Sequence, residues 1–566
     1  MNQKTLLAVS LSFLVLIVWM YIESGIKKKY QQADHSEKKQ VTEIVKTPDL
    51  QVKTAKKTDA IKPVIKKTTL PKTITLENGQ IKIILNSENG RAQNIFLKEF
   101  PSTPDNTNPV DLEENSLENI NTFSLSFNSI IDPLEPEYSK GSFTAKEAVL
   151  EGEIIINGFP LHIKKMISLS TNYAVHMNIH IQNTGKNSAV FNYLALLGSD
   201  IGPSINKKKE SSFDVKELAC LPYNNDEKLL ELLKKPMIGN QKTAENFENA
   251  RWISLDNRYF LKIISSEKSL PGEAFLASRQ TDEKAAYMLA AFSRKITLEA
   301  GQTSVDAYTY HFLPKNRGLL NNSSEKFYLI FRHNKLMKFL SDLMYEIIIF
   351  INKFTSQFGL SIVLMTILLK ILTYPFDQAS LNSMMKMQTL GPKQEEIRKI
   401  YKNDAAKMNQ EIMNLYKKEK INPLGGCLPM LIPLPVIFAL YGLFKNMVEL
   451  RGETFLWIRD LAEPDTLFTL PFSIPFLGSD FNLLPIIMTL ASIGQTMLTP
   501  QVQGNSQSAQ QTKMMNIMMP IMFFVIFWKM PSALVLYWTL QSLLRIIQTL
   551  ISKNKIFQPA IIKNRR

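Results

Sequence analysis

The run Leu360-Ser-Ile-Val-Leu-Met-Thr-Ile-Leu-Leu-Lys-Ile-Leu-Thr-Tyr-Pro375 carries one charge, Lys370, and no acid stands between Leu360 and Asp377. So apolar a run reads as a membrane helix, where a centrally placed ammonium costs roughly 2.5 to 3.5 kcal/mol on insertion scales. Such a group normally faces a polar or watered cavity, which makes Lys370 a candidate site residue. The bland alternative is a lysine that snorkels to the nearer headgroups along its apolar stem.

Outward from this run, the composition of the 566-residue chain changes near residue 325. The first part is mostly polar; the second has long apolar segments separated by charged loops, as in a multi-span membrane domain. Spans are expected near 358–376, 424–447, 482–500, 514–530 and 532–551, each about the 17 to 25 residues that a ~30 Å core requires. Residues 6 to 22 supply a sixth. They lack a small-residue cleavage site and run into Lys27, Lys28 and Lys29, so residues 1–26 read as an uncleaved signal anchor. Charges at Lys335, Lys338, Asp342 and Glu346 make 335–353 an expected interfacial helix, with a short extra span as the alternative.

Loop charges set the orientation. Residues 377–421 hold nine Lys or Arg against six acids, whereas 449–481 hold six acids and only Arg451 and Arg459. The positive-inside rule puts 377–421 and both termini in the cytoplasm and residues from about 23 to 330 outside it. The lysines after the first span run against the rule, which weakens for long translocated domains.

Residues 27–70 read as a flexible Lys-rich linker. In 71–325 the period becomes two: Val175, Met177, Ile179 and Ile181 alternate with His176, Asn178, His180 and Gln182. Ile81-Lys-Ile-Ile-Leu, Phe123-Ser-Leu-Ser-Phe and Glu153-Ile-Ile-Ile-Asn are similar runs. Short strands broken by turn residues predict an all-β antiparallel sandwich, with a short helix at 227–235 as the exception. A scaffold or docking role suits such a domain best, and binding of an unfolded chain at a strand edge is the alternative. Cys220 and Cys427 fall on opposite sides of the membrane, so no disulfide joins them.

The search for catalysis is negative. No HExxH, P-loop or GxGxxG occurs, and all six histidines precede the second span. No enzyme, metal site or cofactor is expected. The spans instead offer polar stripes at helical spacing: Thr366 with Lys370; Thr489, Ser492 and Thr496 with Gln495; Tyr537, Gln541 and Arg545. Counting ~1.5 Å per residue from the outer ends, Lys370 lies about 18 Å and Arg545 about 20 Å deep, both in the inner half of the bilayer. If those faces meet, they enclose a hydrophilic pocket open to the cytoplasm. Helix-to-helix hydrogen bonding by the Thr, Ser and Gln residues is the competing reading.

Residues 378–421 read as a cytoplasmic helical hairpin, interrupted at Gly391-Pro392 and turning at Asn403-Asp404. Its methionines, Met384, Met385, Met387, Met408 and Met413, are flexible and polarizable enough to receive varied apolar segments, though about half should pack within the hairpin itself.

Tyr374-Pro375, Lys386-Met387, Asn422-Pro-Leu-Gly-Gly-Cys-Leu-Pro429, Trp457-Ile-Arg-Asp-Leu461, Met519-Pro520 and Pro531-Ser-Ala-Leu-Val-Leu-Tyr-Trp538, in this order after a signal anchor and a large strand-rich domain, resemble the YidC family of membrane protein insertases. The resemblance is dense over 335–551. It implies a polytopic α-helical membrane protein of six spans, with a five-helix insertase core (326–566) and a periplasmic all-β sandwich, in the bacterial inner membrane. It also implies a groove in which Lys370 takes the place of the family's usual Arg, keeping the charge and losing the bidentate fork. Thr366 and the aromatic pair Tyr537-Trp538 match groove positions, and Arg545 departs from the pattern. Nascent membrane proteins are the implied substrates, with the Sec translocon, the ribosome and the lipid bilayer as partners.

The implied mechanism is energetic: a watered cationic groove shortens the dry path for a polar translocated tail and attracts its acids. An assembly chaperone without insertase activity is the nearer alternative. A secondary transporter is the farther one, since the sequence displays no paired intramembrane acid and no inverted repeat of broken helices.

Overall fold

A computed structural model describes residues 71–563 apart from 104–105, 115, 117–119, 129–132, 172, 203–215, 223–232, 237–243, 249, 267–272, 281–285, 332–334, 420–432 and 500–517. The expected signal anchor, the linker, the 422–429 motif and Cys427 lie outside the described residues.

Alternating apolar residues make strands here because each buries every second side chain. In Ala174–Asn183, Val175, Met177, Ile179 and Ile181 are all buried and the residues between them point outward. That strand lies between Phe159–Leu169 and Thr303–Pro314 in a nine-stranded antiparallel sheet. A five-stranded and a four-stranded antiparallel sheet complete the β part, and the apolar faces share one core. Glu147–Ile156 turns back on itself through Asn157 and Gly158, both at positive φ (51° and 84°), the backbone that a two-residue hairpin turn needs.

Two local expectations change. Phe123–Phe127 does not alternate: all five residues are buried, Phe123 has φ 68°, and only Leu125–Ser126 pair as strand. The expected helix at 227–235 lies partly outside the described residues, and Leu233–Pro236 is a strand against Glu217–Pro222. The sheet edge supplies backbone partners that a lone helical turn lacks, and these override its weak propensity.

Nine helices follow among the described residues: α1 Arg317–Asn321, α2 Lys335–Thr355, α3 Phe358–Thr389, α4 Gly391–Ile400, α5 Ala405–Lys418, α6 Pro433–Asn446, α7 Leu484–Leu498, α8 Met518–Phe527 and α9 Ser532–Lys563. α3 and the Ser532–Lys553 part of α9 are long and apolar enough to cross a membrane. Over the described residues α6, α7 and α8 are apolar but shorter. α3 exposes Leu364, Leu368, Ile371 and Leu372, and α9 exposes Leu543, Ile547 and Leu550, the broad apolar surface that lipid would cover. α2 buries Met344, Tyr345 and Ile348 and exposes Phe339, Phe350 and Phe354.

The expected break between a span ending at 376 and a hairpin starting at 378 is absent, since α3 runs through Pro375 to Thr389. Pro375 removes one backbone donor, but good helix formers follow it and the ladder resumes. The chain bends only at Leu390, then turns before Asp404, whose side chain caps α5 by accepting from the Lys407 amide at 3.0 Å.

The sandwich is fastened to the helical part by arginines. Arg258 donates to the carbonyls of Lys445 and Ala462, each at 2.6 Å, and pairs with Glu463. Arg451 donates to the carbonyls of Pro101 and Ser102. Glu449 accepts from Asn316 and from Tyr345 of α2, each at 2.8 Å.

Candidate substrate-binding site between α3 and α9

Lys370 points inward, toward α9, and only 7% of its surface is exposed. It is not unpaired. Its Nζ donates to Asp377 Oδ2 at 2.6 Å, and Arg545 Nη1 of α9 lies 3.0 Å from the other oxygen, Asp377 Oδ1. Asp377 and Arg545 are as buried as Lys370, at 6% and 7% exposure. Lys370, in a run with no acid between Leu360 and Asp377, is thus neutralised by the first acid that follows it. Seven residues along a helix make two turns, so Lys370 and Asp377 share a face about 10 Å apart along the axis, a gap that the lysine stem and carboxylate close together. Arg545, the departure from the family's pattern, clamps the acid from the facing helix.

Below the triad the contact between the helices continues as hydrogen bonds. Gln548 Nε2 and Ser552 Oγ of α9 donate to Gln378 Oε1 of α3 at 3.4 and 2.9 Å. Tyr537 is buried and accepts from Gln541 at 3.4 Å. Thr366 is wholly buried, with its hydroxyl turned back to the Ile362 carbonyl at 2.7 Å. Gln495 is half-buried on α7, which packs along α9 and reaches it through Ser492 and Ser542, 3.4 Å apart.

Trp538 falls outside this cluster: its ring packs against Phe523 and Phe527 of α8, with centroids 5.4 and 5.6 Å away. One residue after Tyr537 means about 100° of rotation, enough to turn it to the neighbouring helix. The polar face of α9 thus holds Tyr537, Gln541, Arg545, Gln548 and Ser552. It meets α3 at Asp377 and Gln378, four of these residues (Gln548, Ser552, Asp377, Gln378) lying beyond the stripe read from sequence.

The hairpin methionines divide. Met387 is buried with Leu390 and Tyr416 in a small core to which Met384, Ile412 and Leu415 also pack, so neither Met387 nor Met384 is presented for capture. Met385 and Met408 are half-buried, and Met413 is 44% exposed. An isolated two-helix hairpin must fill its own seam before it offers a surface.

Residues 350–559 match the family described as 60Kd inner membrane protein, and residues 73–345 match the YidC periplasmic domain. The chain belongs to the YidC family. That family joins a β-rich periplasmic domain to a helical inner-membrane core, the two parts seen here. The membrane protein insertase YidC of Chloroherpeton thalassium is 34% identical over 291 residues, covering 50% of this chain and 49% of that one. The Syntrophobacter fumaroxidans protein of the same name is 36% identical over 285 residues, half of each chain. The chain spans about half the length of the curated relatives it matches. A solved structure of an active YidC insertase aligns with 85% of this chain and 93% of its own, at 18% identity and a TM-score of 0.34.

Proposed function

We propose that this chain inserts nascent membrane proteins into the bacterial inner membrane and helps them fold, working alone or beside a Sec translocon. Relatives named membrane protein insertase support the reading, and the observation that carries it is Lys370, a cation buried between helices. A translocated tail must carry polar backbone and acids through hydrocarbon, where each unsatisfied group costs several kcal/mol. A cationic hollow in the inner leaflet shortens that path and draws the acids in. Two cations facing one carboxylate leave a net positive charge of one on the triad, which supplies the field. The substrate's apolar span then passes into lipid, driven by burial of its side chains.

In this reading the chain crosses the membrane six times with both termini in the cytoplasm. Residues from about 23 to 330 are periplasmic, and the aromatic face of α2 lies in the outer interface. The 378–421 hairpin meets substrate first, through Met413, Met385 and Met408, and basic cytoplasmic loops offer cations to the phosphates of a ribosome. Because Lys370 and Arg545 are buried against Asp377, an entering tail must displace a group that already holds the lysine. The test is the purified chain alone in vesicles with a small single-span substrate. Protease-protected insertion is the expected result. Cross-linking to substrate spans without insertion would leave only the assembly chaperone.

A further inference from the structure

The triad holds two cations and one anion, an imbalance that a purely structural contact does not need. Building on the insertase reading, we propose that Asp377 is an internal stand-in for the substrate's carboxylate. At rest it occupies Lys370; an acidic residue of an entering tail displaces it there, and Asp377 stays with Arg545.

The geometry separates the two contacts. Lys370 takes Oδ2 and Arg545 takes Oδ1, so one can break while the other remains. A buried carboxylate that loses its only cation is strongly disfavoured. Here Arg545 remains, and its planar guanidinium can close on both oxygens as the lysine leaves. Lys370 is the partner fit to move, a point charge on a flexible four-carbon stem.

The exchange also leaves the helix pair intact. Lys370 and Asp377 both belong to α3, so their bond joins nothing across the interface. The links between α3 and α9 are Arg545 to Asp377 and Gln548 and Ser552 to Gln378. Lys370 can therefore change partner without unlocking its neighbours. A group that enters must compete with a carboxylate already in place, so a carboxylate succeeds and a neutral amide does not. Asp377 thereby sets the threshold for acidic tails, and Arg545 makes the exchange possible.

The test uses the full chain in vesicles and two substrates that differ by Asp against Asn in the translocated tail. Insertion and photocross-linking of the tail to α3 are read at limiting substrate. Asp377→Asn is expected to raise the ratio of acidic-tail to neutral-tail capture by about fivefold or more, the lower end of ordinary coupling between two sites. Arg545→Gln is expected to lower acidic-tail capture, because Asp377 then has Lys370 alone and holds it. The double variant should return to the level of Asp377→Asn.

Equal loss of both substrates in folded Asp377→Asn protein, or an unchanged ratio, overturns the proposal. Should Asp377→Asn not fold, an Arg545→Gln variant that captures acidic tail as well as the parent overturns it alone. If the parent chain inserts neither substrate, the insertase reading fails instead, and cross-linking of the acidic tail in detergent still decides the role of Asp377.

Discussion

The sandwich and the membrane core both bury lysines, and they do so differently. In the sandwich Lys262 meets Glu113 at 2.6 Å, both side chains wholly buried, with the Asp200 carbonyl at 2.9 Å completing the lysine's bonds. Lys315 pairs with Asp256 in the same one-to-one way. In the membrane core one carboxylate serves two cations. A one-to-one pair in a packed β core is a lock: neither charge can leave without stranding the other. A two-to-one group keeps its acid satisfied when one cation departs, so the charge that is free to act sits where two helices meet.

The largest expected effect breaks the lock. Lys262→Ala should destabilise the sandwich by about 3–5 kcal/mol, because Glu113 is left as a buried unpaired charge. Thermal melting followed by circular dichroism would show it, and adding Glu113→Leu should recover most of the loss. Gly359→Ala should cost about 1–3 kcal/mol in the helical part, since its new methyl would overlap the Phe455 ring. Intrinsic tryptophan fluorescence during urea unfolding would read that change and show that α3 is tightly packed at its start.

His311 sharpens the contrast from the sandwich side. Burial pushes its imidazole down to about 4, with the charge of His176 a smaller cause, and its Nδ1 has no partner. The unfolded chain takes a proton below about 6.5 and the folded one does not until about pH 4, so stability is lost as pH falls through that window. The loss is on the order of 3 kcal/mol, and His311→Phe should flatten it in unfolding measured from pH 7 to 4. Lys370→Ala comes last. It should cost about 1 kcal/mol or less, because Asp377 keeps Arg545, and it would need a denaturant titration to detect.

Much of this was legible in the residues. Alternation gave the strands because a sheet buries every second side chain, and Val175 to Ile181 obey it residue by residue. Phe123 did not, since its neighbours bury both faces, and period two vanishes there. The membrane stripe was readable as far as Arg545. Asp377 was missed because it stands two turns beyond Lys370, past the point where the run stops looking apolar, and reach along a helix face is set by side-chain length as well as spacing. Trp538 was misplaced for a related reason: an adjacent aromatic shares a motif with Tyr537 but not a helix face. The division of the hairpin methionines depends on which of them fill the seam, a property of two helices together.

The most direct measurement of the central claim is the ratio of inserted Asp-tail to Asn-tail substrate for the parent chain and for Lys370→Ala, in vesicles holding no other protein. The account predicts that the parent favours the acidic tail and that the ratio falls to one without the amine. A ratio that Lys370→Ala leaves unchanged would contradict it, and the buried lysine would then be only a strut between helices.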